Sequence, residues 1–193
     1  CMAAAGHARA QTAFFNGASS ALMPLPAMAR LSDARTIVCG SVRFVWQTEP
    51  DGLLRRAAQR FSERFARLRS GNPHGRSCVV RIHAGHDPDW LTLQAREEYS
   101  LSLTPKALRI DAFGAAGVLH AFAALLQLAR PTADDAISLP DGRIEDRPRF
   151  RWRGLMIDVA RHFMSVQALR RQIDAMELTR LNVLHLHLSD GAA

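Results

Sequence analysis

The sequence predicts an α/β chain in which a small mixed α+β domain is followed by a single strand–helix–strand unit. Three patterns carry this. A helical apolar stripe over 53–68 follows a β-branched run at 36–46, two alternating runs flank Thr104-Pro105-Lys106, and apolar runs at 153–159 and 182–188 bracket an amphipathic stretch. With 193 residues, 48% hydrophobic and 22% charged, the chain has material for one ordinary domain plus the start of a second, and its composition is that of a folded protein.

Residues 1–21 lack a sustained period and read as leader remnant and linker. Ala3-Ala4-Ala5 and Ala8-Arg9-Ala10 before Gln11 resemble the end of a secretory signal with a small-x-small cleavage site, so a secreted or periplasmic location is expected. Cys1 as a lipid-carrying terminus is the alternative. Leu22-Met23-Pro24-Leu25-Pro26 then opens the first domain, 22–140, in extended form.

Thr36 to Trp46 (TIVCGSVRFVW) predicts one or two strands. Leu53, Ala57, Phe61, Phe65 and Leu68 recur at helical spacing, with Arg56, Arg60, Glu63 and Arg67 on a solvated opposite side, and Gly71-Asn72-Pro73 stops the helix. Ser77 to Ala84 reads as another strand. The alternating runs 98–103 and 107–112 form a hairpin, and the Ala/Leu-rich stretch 115–129 is a helix packed on that sheet, ended by Pro131. Leu139-Pro140-Asp141-Gly142 with Arg143, Glu145, Asp146 and Arg147 reads as a joining loop, which opens the second segment, 141–193. There Arg153 to Val159 predicts a buried strand, Ser165 caps a helix whose apolar stripe is Val166, Leu169, Ile173 and Met176, and Asn182 to Leu188 predicts a second strand. Short connections make this a β-α-β unit with parallel strands.

The net charge of +7 raises nucleic-acid binding, but the arginines are dispersed through every segment and Lys106 is the sole lysine, so no nucleic-acid partner is expected. No run approaches the roughly 20 apolar residues of a membrane span. Cys1, Cys39 and Cys78 lack metal-ligand spacing, and no metal or cofactor is called for. A Cys39–Cys78 bridge is conceivable, with two buried free thiols the simpler expectation.

The stretch from Asp146-Arg147-Pro148 through Arg153-Gly154-Leu155-Met156-Ile157-Asp158-Val159-Ala160-Arg161-His162-Phe163 resembles the opening of the catalytic barrel of glycoside hydrolase family 20 β-N-acetylhexosaminidases. Leu181-Asn182-Val183-Leu184-His185-Leu186-His187-Leu188-Ser189-Asp190 resembles that family's second barrel strand at the same separation. Glu98-Tyr99-Ser100-Leu101, Gly117-Val118-Leu119-His120 and Leu126-Gln127-Leu128 are similar to the α/β domain that precedes the barrel, so the resemblance runs over about 22–190. It implies that 141–193 begins an incomplete (β/α)₈ TIM barrel, that the substrate is an N-acetylhexosamine-terminated oligosaccharide, and that hydrolysis is retaining, with the substrate's own acetamido group as nucleophile. It further implies that Arg161 holds hydroxyls of the terminal sugar and that Asp190 lies close to the catalytic acid. The assisting Asp-Glu pair belongs to a fourth strand, so this chain alone is expected to be inactive. After Asp190 the family continues with a second acidic residue and an aromatic-containing loop, whereas this chain reads Gly191-Ala192-Ala193.

Barrel geometry agrees, because functional groups sit at the C-terminal ends of parallel strands, where Arg161 and Asp190 both fall. A guanidinium donating and a carboxylate accepting can share the hydroxyls of a pyranose. Each residue also has a plainer reading. Arg161 and Asp190 can form a structural ion pair, Asp158 within an apolar strand needs a hydrogen-bonding partner, and His162 supports Arg161. His185 and His187 share a strand face but have no third ligand nearby, so barrel-lining imidazoles are expected rather than a metal pair. Trp46, Trp90 and Trp152 are expected as packing residues. The rival function is a non-catalytic carbohydrate-binding or interaction module with a decayed barrel stub.

Overall fold

The computed structural model of the chain describes residues 17–189 except 70, 72–74, 86–91 and 94. In chain order its elements are β1 (Met28–Leu31), β2 (Ile37–Cys39), β3 (Ser41–Trp46), α1 (Gly52–Arg67), β4 (Ser77–Ala84), β5 (Tyr99–Leu103), β6 (Leu108–Ala112), α2 (Ala115–Leu128), β7 (Arg130–Pro131), β8 (Ile137–Leu139), β9 (Gly142–Asp146), β10 (Gly154–Asp158), α3 (Val166–Leu178) and β11 (Val183–His187). The region at 36–46 resolves into two strands that enter different sheets. A six-stranded sheet is ordered β1-β9-β5-β6-β4-β3, and β2 joins β8 and β7 in a small antiparallel sheet.

Alternation along these strands gives the large sheet one apolar face. Val80, Ile82, Leu101, Ile110 and Ile144 point into the core, while Arg81, Arg109 and Arg143 stay exposed. Helices α1 and α2 cover the apolar face. The Asp51 carboxylate caps α1 by accepting from Leu54 N at 2.7 Å, and Ala57, Phe61 and Phe65 of the predicted stripe are buried; Leu54 is buried where Leu53 was expected, Leu53 is half-buried and Leu68 is exposed. Phe61 lies 5.6 Å from Phe65 and 4.9 Å from Phe122 of α2, joining the two helices by ring contacts. Helix α2 is apolar nearly all round because it is covered on several sides, by the sheet, α1 and α3. Gly117 fits this crowding, since a Cβ there would run into the Glu98 carbonyl.

Strands β10 and β11 are parallel, in register from Gly154 opposite Val183 to Asp158 opposite His187. Ser165 Oγ accepts from Ala168 N at 3.3 Å to start the crossover helix, as predicted. Helix α3 packs on α2, so the β-α-β unit sits on the helical side of the first domain.

Several expectations are corrected. The stretch read as a joining loop is strand β9, paired on one side with β1 and on the other with β5. It opens at Gly142 with φ +138°, where a Cβ would strike the Arg30 carbonyl, so the close approach of β1 requires glycine. Strand β1 had no expectation at all. Residues 17–21, read as linker, include a 3₁₀ turn at Ser19–Ala21 with Ser19 fully buried; Cys1 and the leader motif lie outside the described residues. Cys39 and Cys78 are joined by a disulfide between β2 and β4, with Cα atoms 5.4 Å apart, in place of two free thiols. Of the α3 stripe only Met176 is buried, and Val166 and Ile173 are exposed because no described element packs on that side. Arg60 is not simply solvated: it and Arg64 reach across to α3.

Candidate functional site

The C-terminal ends of β10 and β11 lie side by side, as the rim reading requires. Asp158 closes β10 opposite His187, and the backbone pairing continues one step further through Val159 N donating to the His187 carbonyl at 3.1 Å. The chain then turns. Asp158 Oδ1 accepts from the Arg161 backbone N at 2.9 Å, which fixes the turn that presents Arg161. Asp158 therefore has the hydrogen-bonding partner that its position demanded. Arg161, His162 and Phe163 are exposed on this rim, while Asp190 and Trp90 lie outside the described residues. His185 and His187 stand opposite Met156 and Asp158 on one face, and no group of three or more metal-ligating side chains occurs among the described residues. Trp46 packs beside Phe44, but Trp152 is 63% exposed and does not fit the packing expectation.

Beneath the rim lies a buried polar seam that the sequence reading did not single out. Helix α3 ends with Leu181 N donating to Met176 O at 2.9 Å and Arg180 N to Glu177 O at 3.3 Å, a Schellman closure whose left-handed residue is Arg180 at φ +61°. That position favours glycine. Arginine occupies it because its side chain, 4% exposed, runs into the first domain, ion-paired with Asp146 and donating to Tyr99 Oη at 3.0 Å. Next to it Arg153 pairs with Glu97, gives Nε–H to the Arg180 carbonyl at 2.7 Å and Nη1–H to the Phe150 carbonyl at 2.6 Å. Asn182 links the starts of both strands, accepting from Arg153 N at 3.0 Å and donating to the Arg151 carbonyl at 2.7 Å. Gln127 of α2 donates to the Leu178 carbonyl at 2.7 Å. On the flank, Arg60 and Arg64 of α1 hold Glu177 at 2.9 and 2.6 Å, and Arg64 also holds Asp174 at 2.6 Å.

Burial dominates the electrostatics here. It pushes the Tyr99 phenol far above its usual range, so the group stays a neutral hydrogen-bonding partner. Burial, then the charges of Arg180 and Arg153, push His120 down to about 3. His120 is therefore neutral, and its 3.4 Å approach to Glu97 is not an ion pair. Burial raises Glu177, but the hydrogen bonds from Arg60 and Arg64 outweigh it and leave the carboxyl below its ordinary value.

Two depressions, about 850 and 370 Å³, both border this seam at Glu97, His120 and Arg180 and neither includes the rim residues 158–163. The rim is open because two strands cannot enclose a cavity. The seam could have been suspected from Asp146, which shares the buried face of a strand with Ile144, and from Arg180 at a helix stop. The charges around both positions concealed it.

The profile described as "Glycosyl hydrolase family 20, domain 2" matches residues 19–147, and that described as "Glycosyl hydrolase family 20, catalytic domain" matches 150–193. The chain belongs to glycosyl hydrolase family 20. Within this family it is 39% identical over 127 residues to a β-N-acetylhexosaminidase of Cellulomonas fimi, covering 62% of this chain and 26% of that protein. The chitobiase of Flavobacterium johnsoniae superposes with a TM-score of 0.73 at 28% identity, over 88% of this chain and 27% of that one. A family 20 exo-β-N-acetylglucosaminidase of Vibrio harveyi, solved in complex with N-acetylglucosamine, superposes at 0.69 and 27% identity, over 91% of this chain and 26% of that one. The chain thus spans about a quarter of the length of these relatives. Among family 20 proteins its β9 completes the first profile and its β10-α3-β11 unit carries the second.

Proposed function

We propose that this chain is part of a β-N-acetylhexosaminidase that releases terminal N-acetylhexosamine from oligosaccharides, chitin fragments among them. The observation that carries it is the parallel β10–β11 pair within the stretch matched to the family 20 catalytic domain, with the Asp158-braced turn presenting Arg161. On that rim Arg161 donates to hydroxyls of the terminal sugar, and the resemblance assigns the accepting carboxylate to Asp190. Asp158 positions Arg161 through its backbone, and His162 flanks it. The route is retaining, with the acetamido group of the substrate attacking the anomeric carbon. No described residue supplies an adjacent Asp-Glu pair on the rim, and Asp174 and Glu177 are held in ion pairs with Arg60 and Arg64. By the resemblance to family 20, the Asp that orients the acetamido group and the Glu that protonates the leaving oxygen belong to a fourth barrel strand, which is not among the elements β1–β11. A secreted or periplasmic setting is part of the same reading, and the Cys39–Cys78 bridge supports it, since such bonds persist in oxidising compartments.

The test is hydrolysis of a chromogenic N-acetylglucosaminide. The 193-residue chain gives no release above a buffer blank, and a polypeptide that continues the barrel gives release. Arg161→Ala in the longer polypeptide raises KM by about tenfold or more, the loss of one charged hydrogen-bonding group. Turnover by the chain alone, or an unchanged KM in Arg161→Ala, overturns the proposal.

A further inference from the structure

The face of the six-stranded sheet turned away from α1 and α2 brings together arginines that the sequence disperses. Arg30 of β1 stands opposite Arg143 of β9, Arg143 opposite Ser102 of β5, Ser102 opposite Arg109 of β6, and Arg109 opposite Arg81 of β4. Strands lie about 4.8 Å apart, so this single register row runs across five strands over about 19 Å. It carries two adjacent cations, a hydroxyl, and two more cations. Arg43 of β3 extends the positive field in a neighbouring row, opposite Val79. All five arginines are exposed.

Two carboxylates on this face already engage the row's middle. Asp111 accepts two N–H groups from Arg109, at 2.7 and 2.8 Å, and Glu145 accepts from Arg143 at 2.8 Å. The two ends are different: among the described residues, Arg30, Arg81 and Arg43 take part in no ion pair. The face therefore keeps an excess of unneutralised guanidinium, and its own Arg109–Asp111 contact displays the fork-to-carboxylate geometry available there.

The geometry points to this sheet face as a binding surface for a carboxylated polysaccharide laid across the strands, its carboxylates on Arg30 and Arg81 and its hydroxyls on serines such as Ser102. Phe, Tyr and Trp are missing from the outward positions within the strands, and the exposed Phe113 just past β6 has its ring covered by the Arg96 guanidinium at 3.4 Å, so the row offers no series of free rings on which single-stranded bases stack. Helices α1 and α2 pack on the opposite face and α3 packs on α2, so none of them enters a duplex groove from this side. Nor does it present the large apolar residues that membrane insertion needs. Guanidinium forks with interspersed hydroxyls match a chain that alternates carboxylates and sugar hydroxyls. This surface stands apart from the rim at β10 and β11, so it does not depend on the proposed hydrolysis.

The test is affinity electrophoresis of the full chain in polygalacturonate, with neutral dextran, dextran sulfate and duplex DNA as comparison matrices. The chain is retarded by polygalacturonate and not by dextran. Arg30→Ser/Arg81→Ser weakens this about tenfold or more, and Arg30→Lys/Arg81→Lys weakens it severalfold because the charge remains while the fork is lost. Arg56→Ser/Arg67→Ser on the exposed side of α1 removes the same charge and leaves retardation unchanged. Melting temperatures matching the parent chain confirm that each variant is folded. Absence of retardation in polygalacturonate, an equal loss in the α1 variant, undiminished binding of the lysine variant, or tighter binding to DNA or dextran sulfate overturns the assignment.

Discussion

The first domain and the β10-α3-β11 unit follow the same local rules and reach different degrees of burial. In the first, Val80, Leu101, Ile110 and Ile144 have no exposed surface, and two helices seal the apolar face. In the second, Ile157 and Met176 are the buried apolar residues, while Met156, Val166 and Leu188 are 58–69% exposed and Phe163 is 83% exposed. Both regions have a side-chain-capped helix, Ser165 in the second as Asp51 in the first, and regular strand pairing. Periodicity and caps thus define an element, but burial comes from a partner surface. What ties the second region to the first is chiefly the polar seam, where Arg180 and Arg153 replace part of the missing apolar contact with charged hydrogen bonds. Exposed apolar residues next to an uncovered strand pair are an association hazard for the isolated chain.

The contrast can be broken most sharply at the seam. Asp146→Ala leaves the Arg180 guanidinium buried without its carboxylate, and denaturant unfolding should show a loss of about 3–5 kcal/mol. Limited proteolysis of this variant should cut within 150–189 before the first domain. Equal protection of both regions would mean that the seam does not hold the unit in place. Next is Leu101→Ala in the sealed core, expected to cost about 2–5 kcal/mol in the same unfolding measurement.

The pH dependence of stability sharpens the comparison from another side. Because His120 is held neutral down to about 3 when folded and returns to its ordinary value of 6.5 when unfolded, only the unfolded chain binds that proton between those values. Its contribution is complete above pH 6.5 and declines as pH falls towards 3. From pH 6.5 to 5 the loss attributable to this side chain is about 2 kcal/mol at most. His120→Gln should lack that component, read as the difference between the two stability profiles. The smallest effect is expected in the open region. Ile173→Ala, at a site 50% exposed, should change stability by no more than about 0.5 kcal/mol, and a cost matching that of Leu101→Ala would show that α3 is more deeply packed than its exposure indicates.

Much of this architecture was legible from residue pattern. The α1 stripe, the β5–β6 hairpin, the buried α2 and the parallel final pair each follow from a period that one physical environment produces. Strand β9 was hidden because its outward positions carry Arg143 and Glu145, its inward ones Ile144 and the polar Asp146, and a Pro140-Asp141-Gly142 turn precedes it. Strand β1 was too short to show alternation. The disulfide was undecidable because cysteine spacing says nothing about which sheets approach each other. At the site, Asp158 and Arg161 were legible as residues at a strand end, and their resemblance to a family supplied the sugar. The seam was not legible, since burial of a charged side chain depends on a partner distant in sequence, as Arg180 depends on Asp146 and Tyr99. The arginine row was hidden in the same way: strands bring residues from distant segments into a single row across a face.

Arg180 shows how one position can make the completion of a local turn conditional on a remote surface. A glycine there would close α3 wherever the helix happened to form, with no reference to the rest of the chain. Arginine withholds that independence, because its left-handed backbone costs energy that its buried contacts with Asp146 and Tyr99 help to offset. The reversal from α3 into β11 therefore draws part of its stability from β9 and β5 of the six-stranded sheet, so a fault in that sheet is felt at the far end of the chain.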